Sequence, residues 1–262
     1  MKRGYADIIE GQIHYQIEGN GKPLLLLHQG AFSSDEFLKV IPILGKNYQV
    51  IARDMLGYGK SDPNPPDYEI EDYARADINF LNALGIRKTS IVGSHTGASI
   101  AVEMAVVYPE VVDKLVLYGA PSFTPDVREA CIKSHTFSPV EIKEDGSHFT
   151  RLWRTIQEMG RRANPEDRNM VVVACAMASG GVFHAEHACF RYNEEARMPL
   201  VKNHTLLISG TEGVFYNQLE VVKNLLPHCQ TKAIEGVGDY AFLERPEELA
   251  QAVLYFLNNP EV

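Results

Sequence analysis

The stretch "VGSHTGASIAVEMAVVYPE", residues 92–110, decides how the chain is read. Val92 closes an apolar run, Gly93 and Gly97 flank a sharp turn, and a helix runs from Thr96 to Tyr108 before Pro109 stops it. Strand, glycine-flanked turn and helix in that order make an elbow, whose middle residue is strained and presented to the space above the strand. A nucleophile such as Ser, Cys or Asp is expected at that apex. Here the residue is His95.

Outward from the elbow, short apolar runs alternate with helical patterns. "PLLLLHQG" (23–30), "YQVIARD" (48–54), "KTSIVG" (88–93), "DKLVLYGAP" (113–121) and "MPLVKNHTLLISG" (198–210) read as strands, several of them buried on both faces. "IEDYARADINFLNALG" (70–85) has helical periodicity with Gly85 as its C-cap, and "RPEELAQAVLYFLNN" (245–259) is a closing helix with Pro246 near its start. "LEVVKNLLP" (219–227) is a further helix and "CQTKAIEG" (229–236) a further strand. "ADIIEGQIHYQIEG" (6–19) reads as a hairpin around Glu10-Gly11. This alternation predicts an α/β fold with a mostly parallel, doubly wound sheet. It stops between residues 122 and 200, where only helical patches such as "SHFTRLWRTIQEMGRRA" (147–163) occur. The expected organisation is therefore a core of residues 1–121 and 201–262 with a helical cap insertion at 122–200.

Composition narrows the function classes. The 262 residues are 45% hydrophobic, enough for one large core, and carry a formal net charge of −9 without a basic run. A nucleic-acid partner is not expected, since phosphate binding rests on clustered Lys and Arg. No stretch approaches the roughly 20 apolar residues of a membrane span, and the N-terminus has no signal-peptide core. Cys131, Cys175, Cys189 and Cys229 are scattered without a CxxC, as in a reduced, cytoplasmic protein.

Four stretches resemble the α/β-hydrolase superfamily in order and spacing: "LLLLHQGAFSS" (24–34), "ARDMLGYGKSD" (52–62), the elbow, and "VGDYAFLERPEELAQAVLYFL" (237–257). The resemblance covers residues 5–121 and 201–259. It implies an α/β-hydrolase fold, and it places His95 at the family's nucleophile position. The family's acid position falls at about Gly213, beside Glu212, and its histidine position falls at Asp239. All three triad positions are thus substituted, which excludes an ordinary Ser-His-Asp hydrolase. His95 and Asp239 hold two family positions that touch, so a general-base dyad is expected; His95 as the attacking nucleophile is the alternative. The oxyanion donors implied are the Thr96 N–H and a backbone N–H near Gly30 or Ala31. Gln29 departs from the family's His-Gly and places an amide at the pocket.

Further candidates are weaker. Ser94 lies one residue from the apex, and Glu212 is a candidate displaced acid. His28 and Asp54 read as braces of loops. His184 and His187, with Cys189, have a spacing a metal can use, but without the HExxH pattern; no metal and no cofactor are expected. At least one of Trp153, His184 and His187 is expected to reach the pocket. The expected function is hydrolysis, or related C–C or C–O cleavage, of a small carbonyl-containing organic substrate. A catalytically silent ligand- or partner-binding protein and a cofactor-independent oxygenase or lyase are the alternatives, and a homodimer is left open.

Overall fold

Leu24, Leu25, Leu26 and Leu27 are all fully buried, because strand β3 (Pro23–Leu27) lies in the middle of a sheet covered on both faces. The computed structural model describes residues 1–65, 67–133, 141–159, 163–178 and 184–259. Its strands are β1 (Lys2–Ile8), β2 (Gly11–Glu18), β3, β4 (Gln49–Arg53), β5 (Thr89–Ser94), β6 (Val112–Tyr118), β7 (Thr205–Gly210) and β8 (Cys229–Ile234). They form one eight-stranded sheet in the order β1-β2-β4-β3-β5-β6-β7-β8. β1 and β2 are the expected hairpin and join antiparallel; every pairing from β4 through β8 is parallel.

Alternate residues of each strand feed different cores, as the two-residue period of a strand requires. Leu25, Leu27, Ile91, Leu115 and Leu117 pack with Ile70 and Tyr73 of α2 (Ile70–Ala83) and Ile100 of α3 (Thr96–Val107). Leu24, Leu26, Val92, Val116 and Ile208 pack on the other face with Ile41 of α1 (Ile41–Leu44) and Leu249 and Phe256 of α11 (Pro246–Asn258). Each such leucine contributes roughly 1.5–3 kcal/mol through burial. β4 is further tied to α2 by a buried two-pronged pair, Arg53 Nε to Asp77 Oδ1 at 2.6 Å and Nη2 to Oδ2 at 2.7 Å. The remaining core helices are α9 (Leu219–Leu225) and α10 (Ala241–Glu244).

Between β6 and β7 the described residues hold helices and no strand: α4 (Pro125–Lys133), α5 (Ser147–Met159), α6 (Pro165–Met177), α7 (His184–Arg191) and α8 (Glu194–Arg197). Leu152 and Ile156 of α5 and Val171 and Cys175 of α6 form a separate core with Ala31, Phe32 and Tyr240. Those three residues lie in loops that follow strand ends. The helices therefore sit over the C-terminal edge of the sheet, where open α/β sheets bind ligands.

Candidate active site

The elbow owes its shape to two glycines. A Cβ on Gly93 would lie 2.4 Å from the Gly97 carbonyl oxygen, and one on Gly97 would lie 2.1 Å from that of Leu27. His95 between them adopts φ 49° and ψ −109°, in the left-handed region that side chains avoid. Its N–H donates to the Tyr118 carbonyl at 2.9 Å. Thr96 opens α3, and a first-turn N–H has no partner within its helix. The imidazole lies against the Gly119 backbone, where a Cβ would come within 2.9 Å of the ring. Phe215 faces the same ring with centroids 5.3 Å apart.

His95 Nε2 lies 3.6 Å from Asp239 Oδ1, and both side chains are buried. Nε2 and Asp239 Oδ2 are sealed from solvent and have no hydrogen-bond partner. Burial lowers the His95 pKa below the ordinary 6.5, and the Asp239 carboxylate works against that shift. Asp239 itself is fixed in the turn between β8 and α10: its Oδ1 accepts the Val214 N–H at 3.0 Å, and its carbonyl accepts the Gln29 side-chain amide at 3.2 Å.

Beneath the pair lies Glu36, fully buried in the 3-10 turn Ser34–Phe37. Its Oε1 accepts the Ser94 hydroxyl at 2.6 Å and the Gln29 amide at 3.2 Å, and its Oε2 accepts the Gln29 N–H at 2.9 Å. Burial pushes its pKa up to about 7, partly offset by these hydrogen bonds. Gln29 thus bridges Glu36 to the Asp239 loop. Ala31, two residues on, is the other non-glycine residue with positive φ, at 57°.

Above these groups is a cavity of about 290 Å³. His95, Thr96, Asp239, Gln29, Gly30 and Ala31 line its floor, and Ile156, Val171, Glu186 and Phe190 of α5, α6 and α7 line its roof. Apart from the floor groups and Glu186 the lining is mostly apolar, with Phe32, Phe123, Phe215 and Val214 around the sides.

The model of the alpha/beta hydrolase fold family matches residues 22–246. The chain belongs to that family. It is 26% identical over 277 aligned positions to a 2-hydroxy-6-oxo-6-(2'-aminophenyl)hexa-2,4-dienoic acid hydrolase of Metapseudomonas resinovorans, covering 94% of this chain and 88% of that protein. Among solved structures it is similar to a membrane phospholipase A described as a bacterial virulence factor, with a TM-score of 0.83 and 25% identity over 98% of this chain and 86% of that one. The enol-lactonase of Burkholderia xenovorans LB400 shares the fold with a TM-score of 0.82 at 17% identity, over 98% of this chain and 100% of that one.

Of the residues singled out in the sequence of this alpha/beta hydrolase-fold protein, His95, Thr96, Gln29, Gly30, Ala31 and Asp239 meet at the cavity. Others expected there do not line it. Ser94 is fully buried and turns its hydroxyl into the protein to reach Glu36. Trp153 packs beside Arg168, whose guanidinium carbon lies 5.3 Å from the ring. His184 meets Asn64 at 3.1 Å and Tyr73 at 3.3 Å, and His187 lies beside Phe190. Glu212 is exposed, and its N–H donates to Val237. Among the described residues no group of three or more His, Cys, Asp or Glu is placed to hold a metal ion. His28 donates through Nδ1 to the Gln29 carbonyl at 2.6 Å and accepts the Met55 N–H at Nε2, while Asp54 takes His14 and the Ser34 N–H.

Two carboxyls were not anticipated from sequence. Glu36 follows Ser33 in a Ser-x-x-Glu pattern that reads as a helix cap; Ser33 does cap the turn, through the Asp35 N–H, but Glu36 turns inward to Gln29 instead. Glu186 lies between the two histidines that drew attention to α7. The helical period puts it on the same face as Cys189 and Phe190, both of which line the cavity.

Proposed function

We propose that this chain is a hydrolase-like enzyme acting on a small, carbonyl-containing organic substrate, with His95 as general base and Asp239 as its orienting partner, all three family triad positions being substituted. The observation that carries this reading is the 3.6 Å approach of His95 Nε2 to Asp239 Oδ1 at the floor of the cavity. A carboxylate beside Nε2 favours the proton there, which leaves the Nδ1 lone pair toward the cavity. Nδ1 takes a proton from water, the resulting hydroxide attacks the substrate carbonyl, and the proton passes from the imidazolium to the departing carbon or oxygen. The Thr96 N–H and the backbone at Gly30 and Ala31 supply the oxyanion donors. Desolvation keeps the imidazole neutral at neutral pH, as a base requires. The relative from Metapseudomonas, named as a hydrolase of a substituted hexadienoic acid, supports the substrate class.

The test is turnover of a panel of p-nitrophenyl esters, lactones and vinylogous diketones by purified protein. His95→Ala is expected to lower kcat/KM by about 10²–10⁴-fold, and Asp239→Asn by less. The wild-type rate is expected to fall on the acid side as the imidazole gains a proton, at a pH below the ordinary 6.5. A His95→Ala protein that keeps full turnover removes the dyad. A folded protein that binds panel members without converting any is a silent binder, and conversion only in the presence of dioxygen marks an oxygenase.

A further inference from the structure

Glu186 stands in the roof with no task in the reaction just described. It is the third residue of α7, and the Ala185 N–H beside it donates to Tyr58 Oη at 2.8 Å, which pins that end of the helix over the sheet. Its carboxyl lies directly on the Gly30 α-carbon: a Cβ there would fall 2.3 Å from its carboxyl carbon and 2.4 Å from each oxygen. A side chain at position 30 would require the Glu186 carboxyl to move. Glu186 lines the cavity, and its Oε2 is buried without a hydrogen-bond partner. An orphaned polar atom of this kind costs roughly 1–3 kcal/mol unless a ligand meets it.

Resting on the proposed function above, we propose that Glu186 is a substrate-binding residue that donates a hydrogen bond, as a neutral carboxylic acid, to the carbonyl oxygen of an uncharged ketone or ester held over Gly30. The groups that face it are Tyr58 after β4, Tyr73 of α2, Cys175 of α6, Cys189 of its own helix and Tyr240. All are uncharged at neutral pH, so none holds the carboxylate form. Burial raises the Glu186 pKa to about 8, which keeps the proton in place. A carboxylate ligand would meet the Asp239 carboxylate in the same cavity and be disfavoured.

Acetophenone and benzoate serve as probes for the full-length protein. Acetophenone is expected to bind at neutral pH with its carbonyl stretch moved to lower frequency, and benzoate about tenfold more weakly or not at all. Above pH 8 acetophenone affinity falls as Glu186 ionises. Glu186→Gln keeps a donor, so it is expected to retain the frequency shift and lose the pH dependence. Glu186→Ala is expected to lose the part of the shift that the carboxyl supplies, leaving only what the backbone N–H groups give. His95→Ala leaves the shift in place while removing turnover, so failure of the dyad and failure of this assignment are read separately. A bound acetophenone whose carbonyl frequency is the same in wild type and Glu186→Ala overturns the proposal, as does tighter binding of benzoate or no binding of acetophenone at all.

Discussion

Gly213, the acid position in the proposed reading, lies beside Asp239: a Cβ built there falls 3.1 Å from Asp239 Oδ1. On the proposed reading, three residues separate this floor from a Ser-His-Asp triad. The triple change His95→Ser, Asp239→His and Gly213→Asp is expected to give weak esterase activity on p-nitrophenyl acetate, above that of His95→Ser alone. Spectrophotometric assay of the two folded variants checks it, and equal rates would mean that the three positions no longer converge on one carbonyl. That His95 and Asp239 would lie close together was legible from the spacing of the motifs along the chain. Glu36 was not, since it reaches the elbow only through Gln29 and Ser94, across 58 residues of sequence in the second case. A contact of that kind leaves no local pattern.

At the scale of elements, the elbow and α7 behave oppositely. The elbow is written into two glycines, because only hydrogen fits between β5, α3 and the end of β3. Gly97→Ala puts a methyl 2.1 Å from a backbone oxygen and is expected to prevent folding or to lower the melting temperature severely. Gly85→Ala is the control. Gly85 closes α2 at φ 71° with nothing within 4 Å of a Cβ, so only backbone strain of about 1–2 kcal/mol is expected. Thermal unfolding of both variants decides the point; similar losses would show that close approach does not set the elbow. For α7 the sequence drew attention to the wrong face. His184 and His187 are three residues apart and share one side, whereas Glu186, Cys189 and Phe190 form the side turned to the cavity. Polar residue type pointed one way, and the docking of the helix on Tyr58 and Gly30 decided the other.

For the whole molecule, the alternation of buried strands with helices was enough to read the sheet, since each strand's two faces feed two separate cores. The charge balance inside those cores was not readable, because it depends on which acids end up buried. Glu36 and Glu194 have pKa values raised to about 7 and Glu186 to about 8, each chiefly by burial, against 4.5 when unfolded. Arg128, 2.9 Å from Glu194, only partly offsets the effect. A group with a raised folded pKa binds more protons folded than unfolded, so stability is highest below 4.5 and falls as pH rises to the folded value. His28, lowered to about 3 by burial, and His95, lowered likewise, act in the opposite sense: they destabilise the fold as pH drops below 6.5. Between pH 4.5 and 6.5 the two sets oppose each other and the net slope is shallow. Above pH 6.5 the unfolded imidazoles lose the rest of their charge, and the glutamates dominate the slope. Stability is therefore expected to fall between pH 6.5 and 8, by roughly 2–3 kcal/mol. Urea unfolding at a series of pH values measures it. The double variant Glu36→Gln, Glu186→Gln is expected to flatten that limb whatever it does to absolute stability, because the slope depends only on protons taken up. A wild-type profile level or rising from pH 6.5 to 8 would mean that the buried carboxyls are already ionised in the folded protein. Glu186 could not then donate to a carbonyl at neutral pH.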